Sequence, residues 1–172
     1  MEIEVRQAGG PDIEIVSSIL LEAAAWLESL GMPMWREDEL LPERIESDVT
    51  AGLFFVAWCG RERVGTIKFE LSDQKFWPDI PEDESVFIHR LAVRRGYAGG
   101  GVSSALLSWA IERGVALGRH YARLDCEASR QLLRAVYERF GFRHHSDRQV
   151  GPYFVSRYEL RLADWQPPSI AV

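Results

Sequence analysis

Residues 87–107 read FIHRLAVRRGYAGGGVSSALL. Phe87, Ile88, Leu91, Ala92 and Val93 form an apolar strand, Arg94 and Arg95 begin a short basic turn, and Gly99, Gly100 and Gly101 follow in succession. From about Val102 a long apolar helix is expected. A strand that passes through a glycine turn into a helix points several backbone N–H groups at one place. The donors of a helix's first turn have no intrahelical partners, and the helix dipole adds partial positive charge there. Glycine leaves room for a bulky anion against the main chain, so the stretch is a candidate phosphate or pyrophosphate site. A turn that only lets strand and helix pack is the plain alternative. The Lys-Ser/Thr pair of a P-loop is missing, and so is G-x-G-x-x-G.

The remaining composition narrows the possibilities. A chain of 172 residues, 47% hydrophobic and 27% charged, suits one globular domain with a substantial core. Its net charge of −6 argues against a broad nucleic-acid-binding surface and is compatible with a cationic or amine substrate. Cys59 and Cys126 have neither metal nor redox spacing and point to a reducing compartment. The start, MEIEVRQAGG, is not a secretory signal, and no apolar run reaches membrane-spanning length. The expectation is a cytoplasmic protein with no nucleic-acid or membrane partner and no metal, for which a homodimer is left open.

Working outward, residues 2–7 alternate as a short strand, and Val16, Leu20, Ala23, Leu27 and Leu30 recur at helical spacing up to Gly31. Met32–Trp35 is an apolar loop, and Pro42 opens a second helix carrying Ile45 and Val49. Residues 53–59 and 64–71 read as a hairpin, with Ile67, Phe69 and Leu71 on one face and Thr66, Lys68 and Glu70 on the other. A long loop, 72–85, holds Phe76, Trp77 and the run Glu82-Asp83-Glu84. After the glycine turn the helix is expected to be largely covered, Val115 and Leu117 included. Residues 121–126 then form a strand parallel to the one before the glycines. A further helix from Ser129 or Arg130 places Leu132, Leu133, Val136 and Phe140 on one side and is closed by Gly141. Residues 142–145 and 153–162 close the chain as a strand pair.

The glycine stretch resembles the acyl-CoA-binding motif of the GNAT superfamily of N-acetyltransferases, roughly L-x-V-x-P-x-x-R/Q-G-x-G-V-G/A-x-x-L-L. Leu91, Val93, Gly99, Gly101, Val102, Leu106 and Leu107 keep the frame. Arg95, Ala98 and Ser103 stand where Pro, Arg or Gln, and Gly or Ala are usual. RQLLRAVYERFGF, 130–142, resembles a second motif of the family, N-x-x-A-x-x-L-Y-E-K-x-G-F, with Tyr137, Glu138, Gly141 and Phe142 in place and Arg130 where Asn is usual. The order β-α-α-β-β-β-α-β-α-β-β is also that family's. The resemblance implies an α/β fold: a GNAT-like mixed β-sheet with helices on both faces and a central β-strand–glycine turn–helix acyl-CoA site. It implies one acetyltransferase domain over 1–172, with 163–172 an extended tail.

It also implies a chemistry, acetyl transfer from acetyl-CoA to a primary amine of a small molecule or peptide. Leu91, Ala92 and Val93 would lie along the pantetheine like an added strand, with the Val93 N–H polarising the thioester carbonyl. Gly99, Gly100, Gly101, Val102, Ser103 and Ser104 would take the pyrophosphate. Arg94 or Arg95 would compensate for the side chain missing at Ala98, and Arg130 and Leu133 are further cofactor candidates. Tyr137 is the candidate general acid, a phenol that keeps its proton at neutral pH. His89 is the candidate base and Glu84 the alternative. Trp26, Trp35, Phe76 and Trp77 are expected to wall the acceptor. A non-catalytic acyl-CoA-binding or protein-interaction module on the same fold is the competing reading, and a plain nucleotide-phosphate binder a weaker third.

Overall fold

The computed structural model describes residues 2–167. The strands β1 (Glu4–Gln7), β2 (Phe54–Cys59), β3 (Glu62–Glu70), β4 (Ser85–Val93), β5 (Tyr121–Glu127), β6 (Arg143–Val150) and β7 (Tyr153–Arg161) form one mixed sheet in the order β1-β2-β3-β4-β5-β7-β6. Four helices accompany it: α1 (Ile13–Ser29), α2 (Pro42–Thr50), α3 (Val102–Ala116) and α4 (Gln131–Phe140). The expected element order and α/β class are therefore met. The chain divides into two compact units, 1–69 with 89–107, and 70–88 with 108–172.

In the first unit, β1, β2 and β3 run antiparallel. Phe54 and Val56 of β2, with Ala92 of β4, bury one face of the sheet under Val16, Ile19 and Leu20 of α1 and Ile45 and Val49 of α2. Gly65 pairs with Ala57, so it lies one residue out of phase with Val56 and faces the other side. A Cβ at Gly65 would come within 2.9 Å of Val102 Cγ1, 3.0 Å of the Ala92 carbonyl and 3.1 Å of Leu106 Cδ1. This close approach presses the first turn of α3 against the strands, and both faces of the sheet are thereby covered. Thr66, paired with Val56 on the face that α1 and α2 cover, is fully buried, and its hydroxyl donates to the Phe55 carbonyl at 3.0 Å.

In the second unit, Ser85–Ile88 pair in parallel with Tyr121–Leu124, as the crossover rule requires. β5 and β7 are antiparallel and β7 turns back from β6 through Gly151, at φ 56°. β6 is longer than expected. Residues 146–149 are polar and show no apolar alternation, but their ladder with β7 holds them. Gly141 closes α4 in the left-handed region at φ 117°. The apolar faces assigned to the helices need correction. Leu132 (78%), Val136 (38%), Val115 (53%) and Leu117 (41%) are exposed, and so is Leu71. The buried residue of α4 is Tyr137. The expected tail, 163–172, begins inside a short 3-10 turn, Leu162–Asp164, Trp165 follows in extended backbone, and 168–172 lie outside the described residues.

Candidate active site

β4 ends at Val93, and the Arg94 N–H donates to the Val64 carbonyl at 2.8 Å, fixing where the chain leaves the sheet. A single 3-10 turn, Arg95–Tyr97, leads to the glycines. Gly99 and Gly101 take φ values of 79° and 83°, in the region that L side chains rarely adopt. A Cβ built on either would meet nothing within 4 Å, so both glycines face open space. The Ala105 N–H is bonded to the Gly101 carbonyl at 2.9 Å, which leaves the N–H groups of Val102, Ser103 and Ser104 as the donors of the helix's first turn. Ser103 is half-buried and Ser104 exposed, so the turn is accessible. The cradle suits a phosphate chain.

Glu22 of α1, which sequence reasoning missed, organises the basic turn. Its carboxylate accepts from Arg94 Nη1 at 2.6 Å and from the Arg95 N–H at 2.7 Å. Arg94 Nη1 also donates to the Ser18 hydroxyl at 3.0 Å. Partial burial works against the Glu22 carboxylate, but the Arg94 guanidinium and the Arg95 N–H hold it below its ordinary range. Of the two expected phosphate-side cations, Arg94 is therefore already paired. The Arg95 guanidinium lies over the ring of Trp26, 3.6 Å from its centroid.

His89 is half-buried on β4. Next to it, Arg90 has φ 51°, the one non-glycine positive φ among the described residues, and its guanidinium lies 5.3 Å from the centroid of Trp35. Trp35 is half-buried against the core of the first unit. Neither Arg90 nor Glu22 has a motif that would have singled it out.

Tyr137 lies in the second unit and is 7% exposed. Its ring meets Phe142 edge-on at 6.1 Å and Tyr158 at 6.4 Å. Burial raises its hydroxyl above the usual phenol range, and the neighbouring Cys126 and Asp125 add to the rise, so Tyr137 stays protonated. Burial likewise pushes the Cys126 thiol up to about 12, which argues against a thiolate nucleophile. Glu138, the next residue of the motif, accepts from the Tyr158 hydroxyl at 2.7 Å, and Arg134 Nε donates to that oxygen at 2.8 Å. At the head of α4, Arg130 pairs with Glu127 at 3.3 Å and Leu133 is half-buried.

Two expectations are corrected here. Trp77 is 1% exposed and cannot wall an open pocket. It is packed between Phe87 and His145, with the guanidinium of Arg157 4.6 Å from its ring centroid. Arg157 is itself anchored by Asp79, at 2.6 Å, and by the Phe76 carbonyl; Phe76 is half-buried. Glu84 is not a free base, because it pairs at 3.4 Å with Arg123, whose side chain is 4% exposed. A cavity of about 420 Å³ opens elsewhere in the second unit, lined by Tyr121, Phe140, Arg143, Arg161 and Trp165 among others, and none of the expected site residues lines it.

Comparison with known proteins shows the family and fold of the chain. A sequence profile of the Acetyltransferase (GNAT) family matches residues 21–142. The uncharacterised N-acetyltransferase YesJ of Bacillus subtilis is 31% identical over 140 residues, 76% of each chain. A GNAT-family acetyltransferase from Listeria monocytogenes superposes with a TM-score of 0.75 at 22% identity, over 93% of this chain and 96% of that one. YncA of Salmonella typhimurium, solved with acetyl-CoA, superposes with a TM-score of 0.70 at 16% identity over 99% of both chains. No helix of the described residues is long and apolar enough to cross a membrane. The glycine turn, the α4 motif and these matches together place the chain in the GNAT acetyltransferase family.

Proposed function

We propose that the protein transfers the acetyl group of acetyl-CoA directly to a primary amine of a small molecule or peptide. The observation that carries this reading is the open turn at the head of α3. Gly99 and Gly101 hold left-handed backbone with nothing within 4 Å of where a side chain would lie. The backbone of Leu91–Val93 lies along the pantetheine as an added strand, and the Val93 N–H polarises the thioester carbonyl. Gly99–Gly101 and the N–H groups of Val102, Ser103 and Ser104 take the pyrophosphate. Arg95, whose backbone Glu22 already fixes, is the cation assigned to the phosphates.

The amine attacks the thioester carbon, the carbon–sulfur bond breaks, and Tyr137 protonates the departing thiolate. A phenol raised above its usual range is a weak acid, but protonation needs only to accompany bond breaking. His89 takes the proton that the ammonium must lose. In YncA the bound acetyl-CoA belongs to a protein of the same fold, which supports the choice of donor. A second reading, an acyl-CoA-binding module without turnover, draws on the burial of Tyr137. Thiol release from acetyl-CoA, followed with a panel of amines, separates the two. The enzyme reading expects amine-dependent release and an acetylated amine by mass spectrometry; CoA binding with no release for any amine would support the module.

A further inference from the structure

Arg90 departs from the usual pattern twice. It sits inside β4 with φ 51°, a conformation that costs a non-glycine residue energy and persists only where the surroundings impose it. Its guanidinium is also left incomplete. Nη2 reaches Glu39 Oε2 at 3.3 Å, long for a charge-assisted bond, and Nη1 is buried with no hydrogen-bond partner among the described residues. Trp35 lies under the group, its centroid 5.3 Å away. A buried donor without a partner is unfavourable, and native proteins rarely keep one without a use.

The surrounding charges narrow what would complete it. Glu37, Asp38 and Glu39 make a short acidic turn, in which Arg36 already holds Asp38 by two bonds of 2.9 and 3.0 Å. Glu39 is the carboxylate that meets Arg90, and it is 40% exposed. A cation and an anion that touch weakly, over an aromatic face, suit a ligand carrying both charges. A guanidinium fork with an unmet nitrogen matches the two oxygens of a carboxylate. Glu39 can then receive an ammonium. Arg90 immediately precedes Leu91–Val93, the stretch assigned to the acyl donor.

Resting on the acetyltransferase reading, we propose that the acceptor is an amino-acid-like zwitterion whose carboxylate is bound by Arg90. The weak Arg90–Glu39 contact opens as the ligand's two charges replace it. Arg90 is thus a specificity-determining residue, and purely cationic amines such as polyamines are poor acceptors.

The test compares amino acids, β-amino acids and short peptides, each beside its methyl ester, which keeps the amine and removes the carboxylate. Acids are expected to exceed their esters by about tenfold or more in kcat/KM, the worth of one hydrogen bond to a charged group. Arg90→Gln should raise the acceptor KM by about 10- to 100-fold and leave the KM for acetyl-CoA nearly unchanged. Arg90→Asn, a residue that tolerates positive φ, guards against misfolding as the cause and should behave like Arg90→Gln. Glu39→Gln should raise the KM of zwitterionic acceptors, because it removes the carboxylate that receives their ammonium. Tryptophan fluorescence of the CoA-loaded protein, titrated with the same amino acids, gives a readout without turnover. Arg90-dependent binding with no turnover would uphold this inference and overturn the enzyme reading. Esters or polyamines that serve as well as acids would overturn the inference and leave the enzyme reading intact. Absence of both binding and turnover would overturn both.

Discussion

Around Gly99–Gly101 the useful groups are backbone, whereas around Tyr137 they are side chains already engaged with one another. In the glycine turn the geometry comes from left-handed φ values, the carbonyl that starts α3, and the fit of Gly65 beneath it. In α4 it comes from Tyr137 packed against Phe142 and Tyr158, with Arg134 and Glu138 both bonded to the Tyr158 hydroxyl. The difference teaches where sequence can drift. A site made of N–H groups accepts Arg95, Ala98 and Ser103 at positions where other residues are usual, because the main chain is unchanged. In the α4 motif the residues in or beside the packed network, Tyr137, Glu138, Gly141 and Phe142, are retained, whereas Arg130, Leu133, Val136 and Arg139 depart from it.

The largest effect expected from breaking this contrast is at the side-chain end. Tyr137→Phe keeps the ring and its packing and removes only the proton, so kcat should fall by about 10²–10⁴-fold, the usual worth of a general acid. CoA affinity should hardly change. Because burial raises the Tyr137 hydroxyl above its ordinary range, the parent should show no alkaline decline near the normal phenol pKa. Steady-state kinetics over a pH series reads both expectations.

A smaller effect is expected where the backbone site rests on its support. Gly65→Val places carbon against Val102, Leu106 and the Ala92 carbonyl, and α3 must shift. Overpacking of this kind costs about 1–3 kcal/mol of stability, and CoA affinity should fall roughly tenfold with it. Denaturant titration and calorimetry measure the two separately. Loss of stability with unchanged CoA binding would show that the turn does not depend on this contact.

The smallest effect lies in the loop that buries Trp77. The Arg157 bond lowers Asp79 to about 2 from an ordinary 3.8. A depressed carboxylate contributes stability above its unfolded-state pKa and loses it as pH falls toward the folded value. Asp79→Asn should therefore cost about 1 kcal/mol near neutrality, discounted because Asp79 is 45% exposed, with the gap from the parent closing between about pH 4 and pH 2. Thermal melts across that range test it.

The sequence made the turn legible because glycine spacing reports backbone directly, and it made α4's C-cap legible through Gly141. It misjudged α4's covered face because apolar periodicity favours Leu132 and Val136, which are exposed, over a tyrosine whose ring is buried. Trp77 read as a pocket wall because aromatic residues in a long loop suggest one, and the two arginines that enclose it come from β5 and β7, far along the chain. Gly65 had left a signal, since an isolated glycine inside a strand often marks close approach of another element. Arg90 and Glu22 left none, as neither a positive φ nor a long-range ion pair is written in local sequence.

The central claim is that the open turn at the head of α3 binds the phosphates of CoA, and calorimetry with CoA and with pantetheine tests it most directly. Pantetheine keeps the arm assigned to Leu91–Val93 and lacks the pyrophosphate together with the adenosine 3′-phosphate, so the part of the affinity gap that Gly101→Asp removes reports on the turn. The account predicts that the parent binds CoA at least about 100-fold more tightly than pantetheine, as several charge-assisted bonds require. In Gly101→Asp, folded by circular dichroism, that gap should collapse while pantetheine binds as before. Equal affinity for the two ligands in the parent, or an undiminished gap in Gly101→Asp, would contradict it.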